Sequence, residues 1–172
     1  GKYYLVSAQG SAELIGQGND AWTTDPLLSL KIVHSHNNHY AAEDTNPWYV
    51  WTKDGSLYTF GSAINSAGYP LAAGTAYVVN NEMNAEEQWN SNMRPYRWFL
   101  TRVVDVHSNA MEIIYGQETK GLGCTYTPHS SYVRATYPLT VTYAQGHAIV
   151  SFGWEDRSDY QIEKYDDACV QN

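Results

Sequence analysis

The sequence predicts an all-β domain, an antiparallel meander, and three observations carry the prediction. Short runs of strand-forming residues recur at about the 8 to 12 residue spacing of such domains, with turn residues between them. The pair Asp54-Gly55 stands between two of these runs, the strongest short-range hairpin signal a sequence offers. Amphipathic rings dominate the aromatic content, with 15 Tyr and 6 Trp against 3 Phe. Composition alone assigns that excess equally to a β-core or to a sugar-binding surface. The expected architecture is a curled sheet or partly closed barrel of about 8 to 11 short strands with at most one short helix.

In chain order the expected strands begin with Tyr3–Ser7 and Leu28–His34. Trp48–Thr52 and Ser56–Phe60 follow as the arms of a hairpin turning at Lys53-Asp54-Gly55. Period-2 alternation puts Trp48 and Val50 on one face of the first arm, Tyr49 and Trp51 on the other. Gly61–Gly74, rich in Ser, Ala, Gly and Asn, reads as a long loop. Asn81–Asn92 is free of Gly and Pro and reads as one short helix with a weak apolar face, or as a loop. Trp98–Val106 and Met111–Tyr115 flank a turn at His107-Ser108-Asn109. Tyr132–Thr136, Leu139–Tyr143, Ala148–Trp154 and Tyr160–Lys164 complete the set, with a further turn at Gln145-Gly146-His147.

A chain of 172 residues suits one domain, here residues 1–172, with enough length to bury a core. No internal repeat or low-complexity linker divides it. Abundant aromatics and only 16% charged residues argue against disorder. No apolar run approaches the length of a membrane span. With 10 basic against 18 acidic residues the net charge is -8, and the arginines are scattered, so nucleic acid is a poor partner. Low charge with many Asn, Ser, Thr and Tyr leans toward a secreted or cell-surface protein. Cys124 and Cys169 match no metal-ligand spacing. In an oxidising compartment they can form one disulfide, for which loop entropy predicts about 3 to 4 kcal/mol; otherwise they are two free thiols. The chain begins with Gly1, which reads as a processed or excised segment.

Three blocks carry a family likeness: WYVWTKDGSLYTFG from Trp48, RWFLTRVVDVHSNAMEIIY from Arg97, and YPLTVTYAQGHAIVSFGWEDRSD from Tyr137. In this order they resemble the Rhs/YD-repeat proteins and the B components of bacterial insecticidal Tc toxins, in the region before the regular repeats. Tyr3–Thr24 has the outline of the preceding hairpin. The resemblance implies strands of a long sheet that coils into a hollow, non-catalytic shell. It implies that Trp48, Asp54, Gly55, Tyr58, Phe60, Gly61, Trp98, Asp105, His107, Asn109 and Tyr115 hold hairpins and fill sheet faces. One departure stands out: the family's H-G-N is here His107-Ser108-Asn109. Ser lacks glycine's freedom at positive φ, so the turn is expected to shift its left-handed residue to Asn109 or to change type. The regular repeats are absent, which implies a module of such a protein or a compact derivative of it.

Chemistry has four candidate locations. His34, His36 and His39 form the only dense imidazole cluster; two of them share a strand face and can reach one Zn²⁺, with Glu43 or Asp44 as base. The plainer reading is a polar strand end running into a solvated turn, and it is the favoured one. Asp105, His107 and Glu112 flank one turn, as an acid and base pair or as turn-stabilising groups. Glu155, Asp156 and Asp159 lie beside Trp154 and Tyr160 and suit paired glycosidase acids with a stacking platform, or the structural block of the family. Among the indoles, Trp22, Trp51, Trp89 and Trp154 are the ones expected at a ligand cleft. Serine-nucleophile and phosphate-loop motifs are absent, and nothing calls for a cofactor.

The leading expectation is a non-catalytic β-module of a secreted or cell-surface protein, acting in shell assembly or surface recognition. Its partner is then the remainder of its parent chain or a surface glycan. The alternatives are a small secreted hydrolase using paired carboxylates and a carbohydrate-binding module using exposed rings. The sequence leaves the oligomeric state open.

Overall fold

A computed structural model of the chain describes residues 2–7, 10–34, 47–61, 74–80, 92–121 and 131–155. The strands are β1 (Tyr3–Ser7), β2 (Gly10–Gly18), β3 (Ala21–Asp25), β4 (Lys31–His34), β5 (Trp48–Trp51), β6 (Leu57–Phe60), β7 (Thr75–Asn80), β8 (Asn92–Trp98), β9 (Leu100–Val104), β10 (Ala110–Gly121), β11 (Ser131–Tyr143) and β12 (Ala148–Ser151). All belong to one 12-stranded antiparallel sheet. Its order is β1-β2-β3-β4-β5-β6-β9-β10-β11-β7-β8, with β12 also paired to β11. The expected all-β meander is therefore correct for β1 to β6, where each strand pairs with the next. The sheet curls, but no ladder closes it into a barrel among the described residues.

Local chemistry explains the hairpins. Between β5 and β6, Gly55 takes φ 84° and its N–H reaches the Thr52 carbonyl at 3.0 Å. A Cβ there would come 2.7 Å from Val106 Cγ1, so glycine is required twice over. The Asp54 carboxylate accepts from the Thr52 hydroxyl and the Ser56 N–H. Those bonds, the hydroxyl first, hold its carboxyl below the usual range.

The turn between β9 and β10 corrects an expectation. Ser108 itself takes the left-handed conformation, φ 66°, and Asn109 does not. Asp105 explains how a serine holds that conformation. Its carboxylate accepts from the backbone N–H of His107 (2.8 Å) and of Asn109 (2.8 Å) and from Asn109 Nδ2 (2.7 Å). Three donors on one carboxylate lock the loop around Ser108 and offset the strain.

Several boundaries differ from expectation. Tyr132–Thr136 and Leu139–Tyr143 are one strand, β11, running through Pro138 beside a β-bulge between Ile114 and Tyr115. Strands β2, β3, β7 and β8 extend the expected set. Trp98 ends β8, while β9 begins at Leu100. Asn92, expected at a helix end, starts β8; the rest of that segment, the long loop over 62–73 and the strand expected at Tyr160–Lys164 lie outside the described residues. Among the described residues the only helical element is a 3₁₀ turn at Ala144–Gly146, and no helix is long and apolar enough to cross a membrane.

The core follows from register. Directly opposed residues share a sheet face. One row reads Trp22, Ile32, Val50 and Tyr58, and the next reads His34, Trp48 and Phe60. Ile32, Trp48 and Val50 are buried together with Leu14, and Tyr3, Trp22, Phe60 and Trp98 pack on them. Tyr49 and Trp51 take the outer face, as the alternation predicts, with Lys31 Nζ 4.7 Å from the Trp51 ring centre. Burying an indole of about 200 Å² contributes about 5 kcal/mol, so Trp48 alone anchors much of this half of the sheet.

Phe99 forms the corner that bends the sheet back on itself. Its N–H donates to the Gly74 carbonyl at 2.8 Å, and its own carbonyl accepts from the Gly61 N–H at 2.8 Å. Three further bonds tie the second half around this corner: Tyr115 hydroxyl to the Leu100 carbonyl (2.7 Å), Gln117 Nε2 to the Thr75 carbonyl (2.7 Å), and Tyr96 hydroxyl to the Val133 carbonyl. Burial pushes the Tyr115 phenol up, so it stays a donor.

Candidate functional site

The curl brings β1 face to face with the β8–β9 corner. Between them opens a cleft of about 560 Å³, lined on one side by residues 2–6 and on the other by residues 96–100. Its floor is Leu14, Ile32, Trp48, Val50 and Phe60. The volume lies within the range of about 300 to 1,000 Å³ typical of small-molecule sites.

Rings dominate the walls. Tyr3 lies 5.4 Å from Trp48 and 5.9 Å from Trp98 between ring centres, and Trp48 and Trp98 are 5.9 Å apart and nearly perpendicular. Trp22 backs the cluster, 5.1 Å from Trp48 and 5.6 Å from Tyr3. Edge-to-face pairs of this kind contribute about 0.5–1.5 kcal/mol each beyond area burial, so the wall is rigid as well as apolar.

Two polar atoms in this apolar wall lack partners. The indole N–H groups of Trp48 and Trp98 are buried and donate to nothing. Trp48 is only 4% exposed. An unsatisfied buried donor costs about 1–3 kcal/mol, and native structures contain few of them.

Lys2 and Arg97 are the charged residues of the described lining. Arg97 is exposed, and its guanidinium lies 5.7 Å from the Phe99 ring centre. The Lys2 ammonium sits 3.0 Å from the Glu13 carboxylate, whose hydrogen bond and charge raise its pKa. Among the described residues no Asp, Glu, Asn or Gln lines the cleft.

The residues singled out from sequence are distributed differently. Trp22 belongs to the aromatic cluster but does not line the cleft; Trp51 is on the outer face. Trp154, 57% exposed, lies 5.0 Å from the Tyr137 ring centre and donates through Nε1 to the Pro138 carbonyl at 2.9 Å. Trp89 lies outside the described residues. Among the described residues the cleft indoles are instead Trp48 and Trp98, two rings that the family resemblance assigned to sheet faces. Both assignments hold, since the sheet face they fill is also the cleft wall.

The candidate acids among the described residues do not line this cleft. Asp105 braces its turn, and the Asn109 side-chain amide, followed by backbone donors, lowers its pKa. Glu112 pairs with Arg102 at 3.2 Å on the β9–β10 surface. His107 is exposed in the turn, and Glu155 is exposed after β12. Asp156 and Asp159 lie outside the described residues, as do Cys124, Cys169, His36 and His39. His34 overturns the expected solvated strand end. It is 1% exposed and stacked on Trp48, because register places it directly opposite that ring. No three His, Cys, Asp or Glu side chains converge as metal ligands among the described residues.

Lys2, Tyr4, Tyr96 and Arg97 were not marked as site residues by sequence. Nothing local marks them, because the two walls come from opposite ends of the strand order. Comparison with protein-family models, with curated proteins and with solved structures returns no match to this chain.

Proposed function

We propose that the chain is a non-catalytic β-module of an Rhs/YD-repeat-like secreted or cell-surface protein, acting in shell assembly or surface recognition. The supporting observation is the open wing formed by β10, β11 and β12. Ile149 is 62% exposed on one face of β12, and its neighbour Val150, on the opposite face, is 42% exposed. Ile114, Leu139, Phe152 and Trp154 add exposed apolar surface to the same wing. A sheet wing with apolar residues open on both faces suits a chain whose sheet continues into, or is covered by, further polypeptide. Among the described residues the edges β1 and β8 add backbone groups with no neighbouring strand.

The engagement of Asp105 by its turn and of Glu112 by Arg102 favours this reading over a hydrolase. A panel of glycans and bacterial cell walls, scored for both binding and product release, tests it. The expected result is no release. Release that is lost in folded Glu112→Gln or Glu155→Gln variants would replace the proposal with an enzyme. In parallel, the exposed wing predicts binding of a hydrophobic dye, reduced when Ile149 and Val150 are both changed to Thr.

A further inference from the structure

We infer that the free edge of β1, with the cleft beside it, receives an extended segment of another polypeptide as an added strand. Such strand addition is one form of the assembly role proposed above and rests on that reading.

Register decides which main-chain groups the edge offers. Ser7 and Gly10 are direct partners with only two residues between them, so they exchange both of their hydrogen bonds. Bonding to β2 then alternates back through Leu5 and Tyr3, since the β1–β2 register runs without a shift. The N–H and C=O of Tyr4 and Val6 therefore turn away from β2, and among the described residues no strand lies on that side of β1. Two donors and two acceptors at the strand repeat are a row that only another strand matches throughout.

The edge also carries none of the usual guards. Exposed edges are commonly protected by charge, proline, a bulge or a covering element. Tyr3–Ser7 holds no charged residue and no proline, and Tyr4 and Val6 are 54% and 72% exposed. Lys2, just before the strand, is tied to Glu13 of β2. At the other end of the strand order β8 is guarded, with Arg94, Pro95 and Arg97 in the strand and a bulge beside the Pro95 pairing.

Beside this edge the cleft supplies room for side chains. Its walls are consecutive residues, 2–6 and 96–100, where a hollow on one sheet face would be lined by every second residue. Tyr3 and Leu5 reach it from the core side and Tyr4 and Val6 from the exposed side, so the cleft runs along the edge itself. A strand laid against Tyr4 and Val6 directs alternate side chains over Ile32, Val50 and Phe60 on the floor. Main-chain bonds then give affinity and the apolar floor selects every second residue.

Charge narrows the occupant. Two copies of this chain each carry a net charge of -8 and repel one another. The segment that fits belongs to a different polypeptide, is apolar at every second position and is neutral or basic.

The test uses the whole chain, ¹⁵N-labelled, titrated with a short peptide of alternating valine and threonine that carries a lysine at each end. Saturable shifts of the Tyr4 and Val6 amide resonances are expected, with slowed hydrogen exchange at both. The same peptide N-methylated at every bond, and a version with serine in place of each valine, should each bind at least about tenfold more weakly. Val6→Pro removes an outward N–H without touching a bond to β2, and it should weaken the peptide to a similar degree. Val6→Lys, which restores a guard and leaves the backbone intact, keeps the test usable should the proline variant fail to fold. Strand addition at β1 is overturned if millimolar peptide gives no saturable shift, or if the shifts fall on Ala148–Ser151 and spare Tyr4 and Val6. It is overturned equally if the N-methylated or serine peptide binds as well, or if both Val6 variants bind unchanged. A dimer of the chain alone that Val6→Lys abolishes would overturn it in favour of a second copy. None of these results alters dye binding at Ile149 and Val150, so strand addition and the module reading fail separately.

Discussion

The imidazole of His34 lies flat against the indole of Trp48, ring centres 4.0 Å apart and planes 2° apart, at the centre of the curl. The contact is a consequence of register, because β4 and β5 place the two residues directly opposite. His34→Ala removes a ring from a site with almost no solvent access, and a loss of about 2–4 kcal/mol in unfolding free energy is expected. His34→Phe restores a ring and should recover most of it. Urea titrations of both variants check this; equal losses would show that stacking is not what the residue contributes.

The Asp105 turn predicts an acid dependence with a definite sign. Hydrogen bonds from Asn109 and His107 hold the folded carboxyl below its ordinary value of 3.8. The turn's contribution is therefore fully present above that value, and it is lost as pH falls through the lower folded pKa. Asp105→Asn should be less stable than the parent at neutral pH, and the difference should shrink as pH falls below about 4. Denaturation midpoints from neutral pH to strong acid would reveal the trend. A gap that stays constant with pH would mean that the carboxylate does not brace the turn.

Ser108 invites a stabilising change. A non-glycine residue in the left-handed region costs about 1–2 kcal/mol, and glycine returns part of that gain through its freedom in the unfolded chain. Ser108→Gly should raise stability by about 0.5–1 kcal/mol, and Ser108→Val should lower it by more than that, read from thermal midpoints.

Gly61 guards the cleft from behind. It takes φ 85°, and a Cβ there would fall 2.6 Å from Trp98 Cδ1 and 3.0 Å from Thr75 Oγ1. Gly61→Ala must either strain the backbone or push the Trp98 ring out of place. A loss of about 2–4 kcal/mol is expected, with a shift in the tryptophan emission maximum as the indole moves.

Pattern alone made part of this molecule legible. The Asp54-Gly55 hairpin and the split of Trp48 and Val50 from Tyr49 and Trp51 follow from turn chemistry and a period of two. The strand β8 did not, because Pro95 argues against a central strand; it is accommodated because β8 is an edge strand with a bulge beside the Pro95 pairing. Pro138 misled for a related reason, since it falls where the β10 ladder slips register. The cleft was hidden more deeply. Periodicity tells which face a ring takes, but not that the sheet carries the face of Tyr3 around to Trp98.

The corner at Phe99 also orders events in time. Strands β1 to β6 pair with immediate neighbours and can form as they emerge from a ribosome. The hairpin of β7 and β8 cannot settle so early, because β7 docks on β11, which begins only at Ser131. Trp98, at the end of β8, closes the aromatic wall against Tyr3 and Trp48. Non-local pairing of this kind is slow to form, so the cleft should be the last part of the molecule to mature during refolding.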